Sequence, residues 1–140
     1  MVLIEIIPDL WISNNKNINN TMTHIYRIKH IINTTKDLKS FNIHQKYNHD
    51  LRDRMIQYEN TKKTEYFKEC VNFINTHIEK NGILLYCQNL EINIVIVIIY
   101  LILHGKLNYE KTLNIIKSKV DEIILVNDNY LKLINIICKI

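Results

Sequence analysis

Apolar and polar residues change places with a short period near the start of the chain and with a helical period over its second half. Val2 to Ile7 and Leu10 to Ser13 flank Pro8-Asp9 and predict two short strands joined by a tight turn. Asn15 to Tyr26 is polar and predicts a short helix or a loop. Ile28 to Asn33 predicts a buried strand centred on Ile31 and Ile32, and Asn42 to Tyr47 is a further strand candidate. In Thr61 to Lys80, Phe67, Cys70, Val71, Ile74 and Ile78 recur at helical spacing, and Asn81-Gly82 supplies a stop. Ile83 to Tyr86 predicts one more strand. Ile92 to His104 is rich in β-branched residues, but its length and the Gly105 that ends it favour a buried helix. Asn108 is placed to cap a helix running to about Ser118, and Asn127 or Asp128 to cap a last helix carrying Tyr130, Leu131, Ile134 and Ile137. Strands early, helices late and a cysteine-bearing strand between them predict an α/β domain: a mixed, mostly parallel sheet flanked by helices, with a strand, a Cys loop and a helix over residues 83–104.

Composition narrows this further. A chain of 140 residues with 47% hydrophobic content is long enough for one core, so residues 1–140 read as a single domain. Only 2 Gly and 1 Pro argue against disorder and against an all-β fold rich in turns. The net charge of +4 is spread along the chain, without a Lys/Arg block interleaved with aromatics, which reads as a solvated basic surface rather than a nucleic-acid face. The start of the chain lacks the basic region of a signal peptide, and the apolar run Ile94 to Leu103 is about half of the ~20 residues that span a bilayer. A soluble cytoplasmic protein is expected. Abundant Ile, Asn and Lys point to an AT-rich genome such as that of a large DNA virus or a parasite; for a viral source, host cytoplasm or virion would be the compartment. Cys70, Cys87 and Cys138 form no CxxC pair, and the histidines are scattered, so no metal and no cofactor are expected and the thiols read as reduced.

Cys87 carries the candidate chemistry. It follows a buried strand and faces the start of a helix, where loop amides and the helix dipole stabilise an anion. Around it the chain resembles the dual-specificity protein phosphatases, including their compact poxvirus-type members. Ile4 to Ser13 resembles the family's opening strands, and Ile28-Lys-His-Ile-Ile-Asn-Thr-Thr35 its "I-x-x-I-[IL]-N-x-T" strand. Tyr66 to Ile74 resembles the "YF-x-x-A-x-x-FI" helix, and Asn81 to Cys87 the "G-x-V-L-V-H-C" strand. Tyr109 to Lys119 and Asn127 to Leu133 resemble the two closing helices, in the family's order and spacing.

The resemblance implies a loop of the form H-C-x5-R-[ST]. In it the thiolate attacks phosphorus, loop amides and an arginine fork hold the phosphate oxygens, a hydroxyl assists the departing thiolate, and an aspartate on another loop protonates the leaving oxygen. Glycine lets the backbone approach the anion. In the stretch Tyr86, Cys87, Gln88, Asn89, Leu90, Glu91, Ile92, Asn93, Ile94, only the cysteine is retained. Tyr86 stands for the histidine and Leu90 for the glycine. Asn93, or Ile92 if the segment is one residue short, stands for the arginine; Ile94 or Asn93 stands for the hydroxyl. No arginine follows Arg54. Losing the fork would cost roughly 3–5 kcal/mol, by analogy with breaking a buried charge pair. Glu91 beside a dianion would add about 1–4 kcal/mol of repulsion. Asp50 and Asp53 fall where the acid belongs and read as vestigial or as loop-capping residues. Cys87 reads as a buried inherited residue or as a residual nucleophile.

The expectation is a catalytically inactive, phosphatase-like domain that works by binding one or more proteins as adaptor, anchor or competitor, with a homodimer as one form. The alternatives are a weak phosphatase using Cys87, and a structural or nucleic-acid-associated basic protein.

Overall fold

The computed structural model describes residues 3–14, 20–33, 47–48, 61–86, 90–120 and 126–140. Its strands are β1 (Ile4–Ile7), β2 (Leu10–Ser13), β3 (Ile28–Asn33), β4 (Tyr47–Asn48) and β5 (Gly82–Tyr86). Its helices are α1 (Asn20–Ile25), α2 (Thr61–His77), α3 (Leu90–Leu103), α4 (Tyr109–Lys119) and α5 (Asp128–Cys138). One sheet runs in the order β1-β2-β5-β3-β4, antiparallel between β1 and β2 and parallel elsewhere.

The Pro8-Asp9 turn sets the first pairing. Asp9 adopts φ 71, its N–H donates to Glu5 Oε2 at 3.0 Å, and its carbonyl accepts from the N–H of Ile83 at 2.8 Å. The turn is thereby fixed within the hairpin and against β5. Side chains of β5 alternate between the two faces: Ile83 and Leu85 join the large core, Leu84 and Tyr86 a smaller cluster with Ile28, Ile31, Trp11 and Met22.

The large core is built around α3. Every residue from Ile92 to Leu101 is buried, with α2, α4 and α5 packed against the helix. A helix enclosed on all sides must be apolar all round, which is why so many β-branched residues sit in a helix here. Gly105 ends it: a Cβ there would lie 2.6 Å from the Leu101 carbonyl oxygen.

The expected elements are present with small shifts. Helix α2 stops at His77, whose carbonyl takes the N–H groups of both Lys80 and Asn81, so residues 78–80 form a turn rather than the helix's last residues. Helix α3 begins two residues before Ile92. Of the strand candidate Asn42 to Tyr47, Tyr47 lies in β4 and the rest lies outside the described residues. Asn108 and Asn127 are the two N-caps, accepting from Lys111 N–H at 2.8 Å and Tyr130 N–H at 3.0 Å.

Left-handed backbone is carried by Asp9, Arg27, Lys106 and Lys139, each a residue with a Cβ. Such a conformation costs an L-residue about 1–2 kcal/mol, and glycine returns part of that through the flexibility it adds to the unfolded chain. Lys106→Gly, at an exposed position after α3, is expected to raise stability by about 1 kcal/mol, read as a higher urea midpoint at unchanged slope.

Candidate functional site

The parallel strands end together. Ser13 and Asn33 are each in register with Tyr86, and all three are buried. In open α/β sheets this carboxyl edge is where ligands bind. Between Tyr86 and Leu90, the first residue of α3, stand only three residues. Those three, Cys87, Gln88 and Asn89, lie outside the described residues, as do Asp50 and Asp53.

The loop expected between Cys87 and a helix starting at Ile92 is therefore two residues shorter. Tyr86 is the end of β5, and Leu90 to Ile94 are already helix. Leu90 packs on the core, Ile92 and Ile94 are inside it, and no glycine opens the backbone, so apolar packing draws these residues into the helix. Neither Ile92 nor Ile94 offers a polar group.

Asn93, which falls at the arginine position by direct count, is completely buried. Its Nδ2 donates to the Ser13 carbonyl at 3.2 Å, tying the first turn of α3 to the end of β2, and its Oδ1 has no partner. The position thus holds a neutral amide engaged in joining helix to sheet.

Glu91 bonds to the residue that caps α5. Its Oε2 accepts from the Asn127 N–H at 3.2 Å and its Oε1 from Asn127 Nδ2 at 3.1 Å, while Asn127 Oδ1 caps α5. The carboxylate is drawn to the positive end of α5. This contact between helices α3 and α5 joins residues 36 apart and has no signal in the sequence.

A second polar cluster was also missed by sequence reasoning. The His30 ring lies 4.4 Å from that of His77 and 5.5 Å from that of Phe73, with Asn81 Nδ2 3.5 Å from its Nε2. His30 is buried, its Nδ1 has no partner, and its pKa is lowered by burial and then by the neighbouring His77. Burial thus favours the neutral imidazole in the folded state more than in the unfolded chain, whose histidine takes a proton near pH 6.5. Stability from this group is complete above that value and declines as pH falls below it, by at most about 1.4 kcal/mol per pH unit for one proton. Urea unfolding at pH 8 and pH 5.5 is expected to give a larger loss on acidification for the wild type than for His30→Gln. Elsewhere, burial pushes the Cys138 thiol up to about 11, leaving it protonated at neutral pH. Among the described residues no group of three or more His, Cys, Asp or Glu could hold a metal ion, and no helix is long and apolar enough to cross a membrane.

No family model matches the sequence, and no curated protein matches it. Solved structures do match in fold. Human DUSP28 superposes with a TM-score of 0.81 at 11% identity, over 98% of this chain and 96% of that one. The fold is that of the dual-specificity phosphatases. A mouse putative dual specificity phosphatase, solved in complex with zinc tungstate, gives 0.79 at 12% identity over 98% of this chain and 86% of that one. The human tyrosine phosphatase-like serine/threonine/tyrosine-interacting protein gives 0.74 at 14% identity over 95% and 93%. At such identities the likeness concerns fold alone. It agrees with the α/β class and mixed sheet expected from the sequence.

Proposed function

We propose that this chain is a pseudophosphatase, a phosphatase-like domain without catalysis that acts by binding other proteins as adaptor, anchor or competitor. The observation that carries the reading is Asn93: the residue counted for the arginine is a buried amide bonded to the Ser13 carbonyl. An amide supplies no positive charge and no fork for the oxygens of a phosphoryl group in flight. The sequence offers no substitute, since its arginines are Arg27, Arg52 and Arg54 and none follows the cysteine. Leu90, at the position counted for the glycine, is a helical residue packed against the core and gives the backbone no hinge there. A fold neighbour named as a phosphatase-like interacting protein makes a binding role on this scaffold reasonable.

The test combines turnover with anion binding. Wild type, Cys87→Ser and a repaired chain (Tyr86→His, Leu90→Gly, Glu91→Gln, Asn93→Arg, Ile94→Ser) are given an aryl phosphate, and tungstate binding is followed by thermal shift. Cys87-dependent turnover by the wild type would overturn the proposal in favour of a weak phosphatase.

A further inference from the structure

We propose that His30 and His77 form an acid-sensitive latch, which holds the turn between α2 and β5 closed while the rings are neutral and releases it when both are charged. The pair sits at the opposite edge of the sheet from Tyr86, where β3 and β5 begin, and its action is independent of phosphate turnover.

The chain departs from regular strand pairing to build this pair. Between Ile28 and His30 the register of β3 on β5 shifts, and Lys29 is the extra residue. Such a bulge re-aims the side chains beside it. Ile28 and Ile31 lie in the small cluster on one face of the sheet, whereas His30 is turned to the other face, onto the end of α2. There His30 is 2% exposed, its ring lies 4.4 Å from that of His77, and Phe73 stands 5.5 Å from the first ring and 4.4 Å from the second.

The turn behind the rings is held by long bonds. The N–H groups of Lys80 and Asn81 donate to the His77 carbonyl and that of Gly82 to the Arg27 carbonyl, each at 3.2 Å, the far end of the usual range. The Asn81 side chain adds a contact from Nδ2 to His30 Nε2 at 3.5 Å. Nε2 can take that donor only in the neutral ring; a charged ring carries a proton on both nitrogens and meets the amide donor to donor.

No carboxylate offsets a charge on His30 among the described residues. From α2 and its turn, Glu69, Glu79 and Lys80 are exposed, as are Arg27 and Lys29 beside the ring's own strand. Tyr86 of β5 and the helix that carries His24 lie on the other face of the sheet. His77 alone acts on His30 electrically, and it opposes a proton there, as burial does. His77 is partly exposed at the carbonyl end of α2, where a cation is favoured. A second proton, on His30, then sets two like charges in contact with one of them shut off from water, and the rings part. The turn loses its Asn81 contact, and Phe73 and Ile78, packed on the core, gain solvent.

Amide hydrogen exchange followed by NMR at pH 8 and pH 5.5, corrected for the pH dependence of the intrinsic rate, tests the latch. Opening at the N–H groups of Lys80, Asn81 and Gly82 is expected to grow up to about tenfold on acidification, the limit for one further proton taken up below pH 6.5. These amides should open more often than those of Ile96 to Ile99 in α3, which report the whole fold. His30→Gln should abolish the acid response at the turn. His77→Gln should give an intermediate one, keeping the share due to burial and losing the share due to the neighbouring charge. Circular dichroism checks the fold of both variants; if His30→Gln fails to fold, His77→Gln, at a partly exposed position, carries the test. A wild type without an acid response at the turn would overturn the proposal. So would a response kept in full by His30→Gln, a His77→Gln protein indistinguishable from the wild type, or turn amides that open only together with those of α3.

Discussion

Hydrolysis of an aryl phosphate by the wild-type chain is expected to run about two to four powers of ten below an intact dual-specificity phosphatase domain assayed beside it, and to be unchanged by Cys87→Ser. The size follows from one side chain. An arginine fork on phosphate contributes roughly 3–5 kcal/mol by analogy with a buried charge pair. At 1.36 kcal/mol per tenfold, its loss accounts for about two to four powers of ten. Asn93 recovers none of this, because a neutral amide brings no positive charge and its Nδ2 is turned to the Ser13 carbonyl. The apolar residues on either side of it, Ile92 and Ile94, offer no hydroxyl to ease departure of a thiolate. The control with Cys87→Ser matters as much as the rate. A low rate that survives loss of the thiol comes from a contaminant, and a low rate that vanishes with it belongs to the chain. Tungstate is expected to leave the melting temperature of the wild type unmoved, since an anion stabilises only the state that binds it.

Phe67→Ala is expected to lower stability by about 3–5 kcal/mol, more than any other substitution proposed above. Phe67 is completely buried on α2, and its ring meets those of Tyr66 and Tyr130 edge-to-face at 6.2 Å each. The contact with Tyr130 joins α2 to α5, so the substitution opens a hole between two helices and removes an aromatic pair on each side. Domains of this size hold about 5–15 kcal/mol in all. A large fall in urea midpoint, with partial unfolding near physiological temperature, is the expected reading. A loss below about 1 kcal/mol would mean that the α2–α5 junction collapses around the vacancy and is not a close-packed seam.

Much of this architecture could be read along the chain. Pro8-Asp9 between two apolar runs marked the hairpin, Asn108 and Asn127 marked two helix starts, and the apolar spacing from Phe67 to Ile78 marked α2. These are local signals, set by capping chemistry and periodicity. The run from Ile92 to Leu101 was legible only by length, because residues buried on every side show no periodicity. The order of strands was not legible from local pattern: β5 lies between β2 and β3, and that depends on long crossovers. The candidate site was legible in its departures, since the absence of any arginine beyond Arg54 can be read without structure. What stands in its place was not. Glu91 meets Asn127, and His30 stacks on His77, only after folding brings together segments that carry no mark of one another.

The bond from Asn93 to Ser13 has an evolutionary consequence. An arginine introduced at Asn93 alone would break the tie between α3 and β2 and place a guanidinium in a fully buried position, beside Ile92 and Ile94 and with no glycine in the preceding residues to let the backbone open. On the pseudophosphatase reading proposed above, Asn93→Arg made singly is a step downhill in stability without a gain in chemistry. On the same reading, phosphate chemistry lies several simultaneous substitutions away from this sequence.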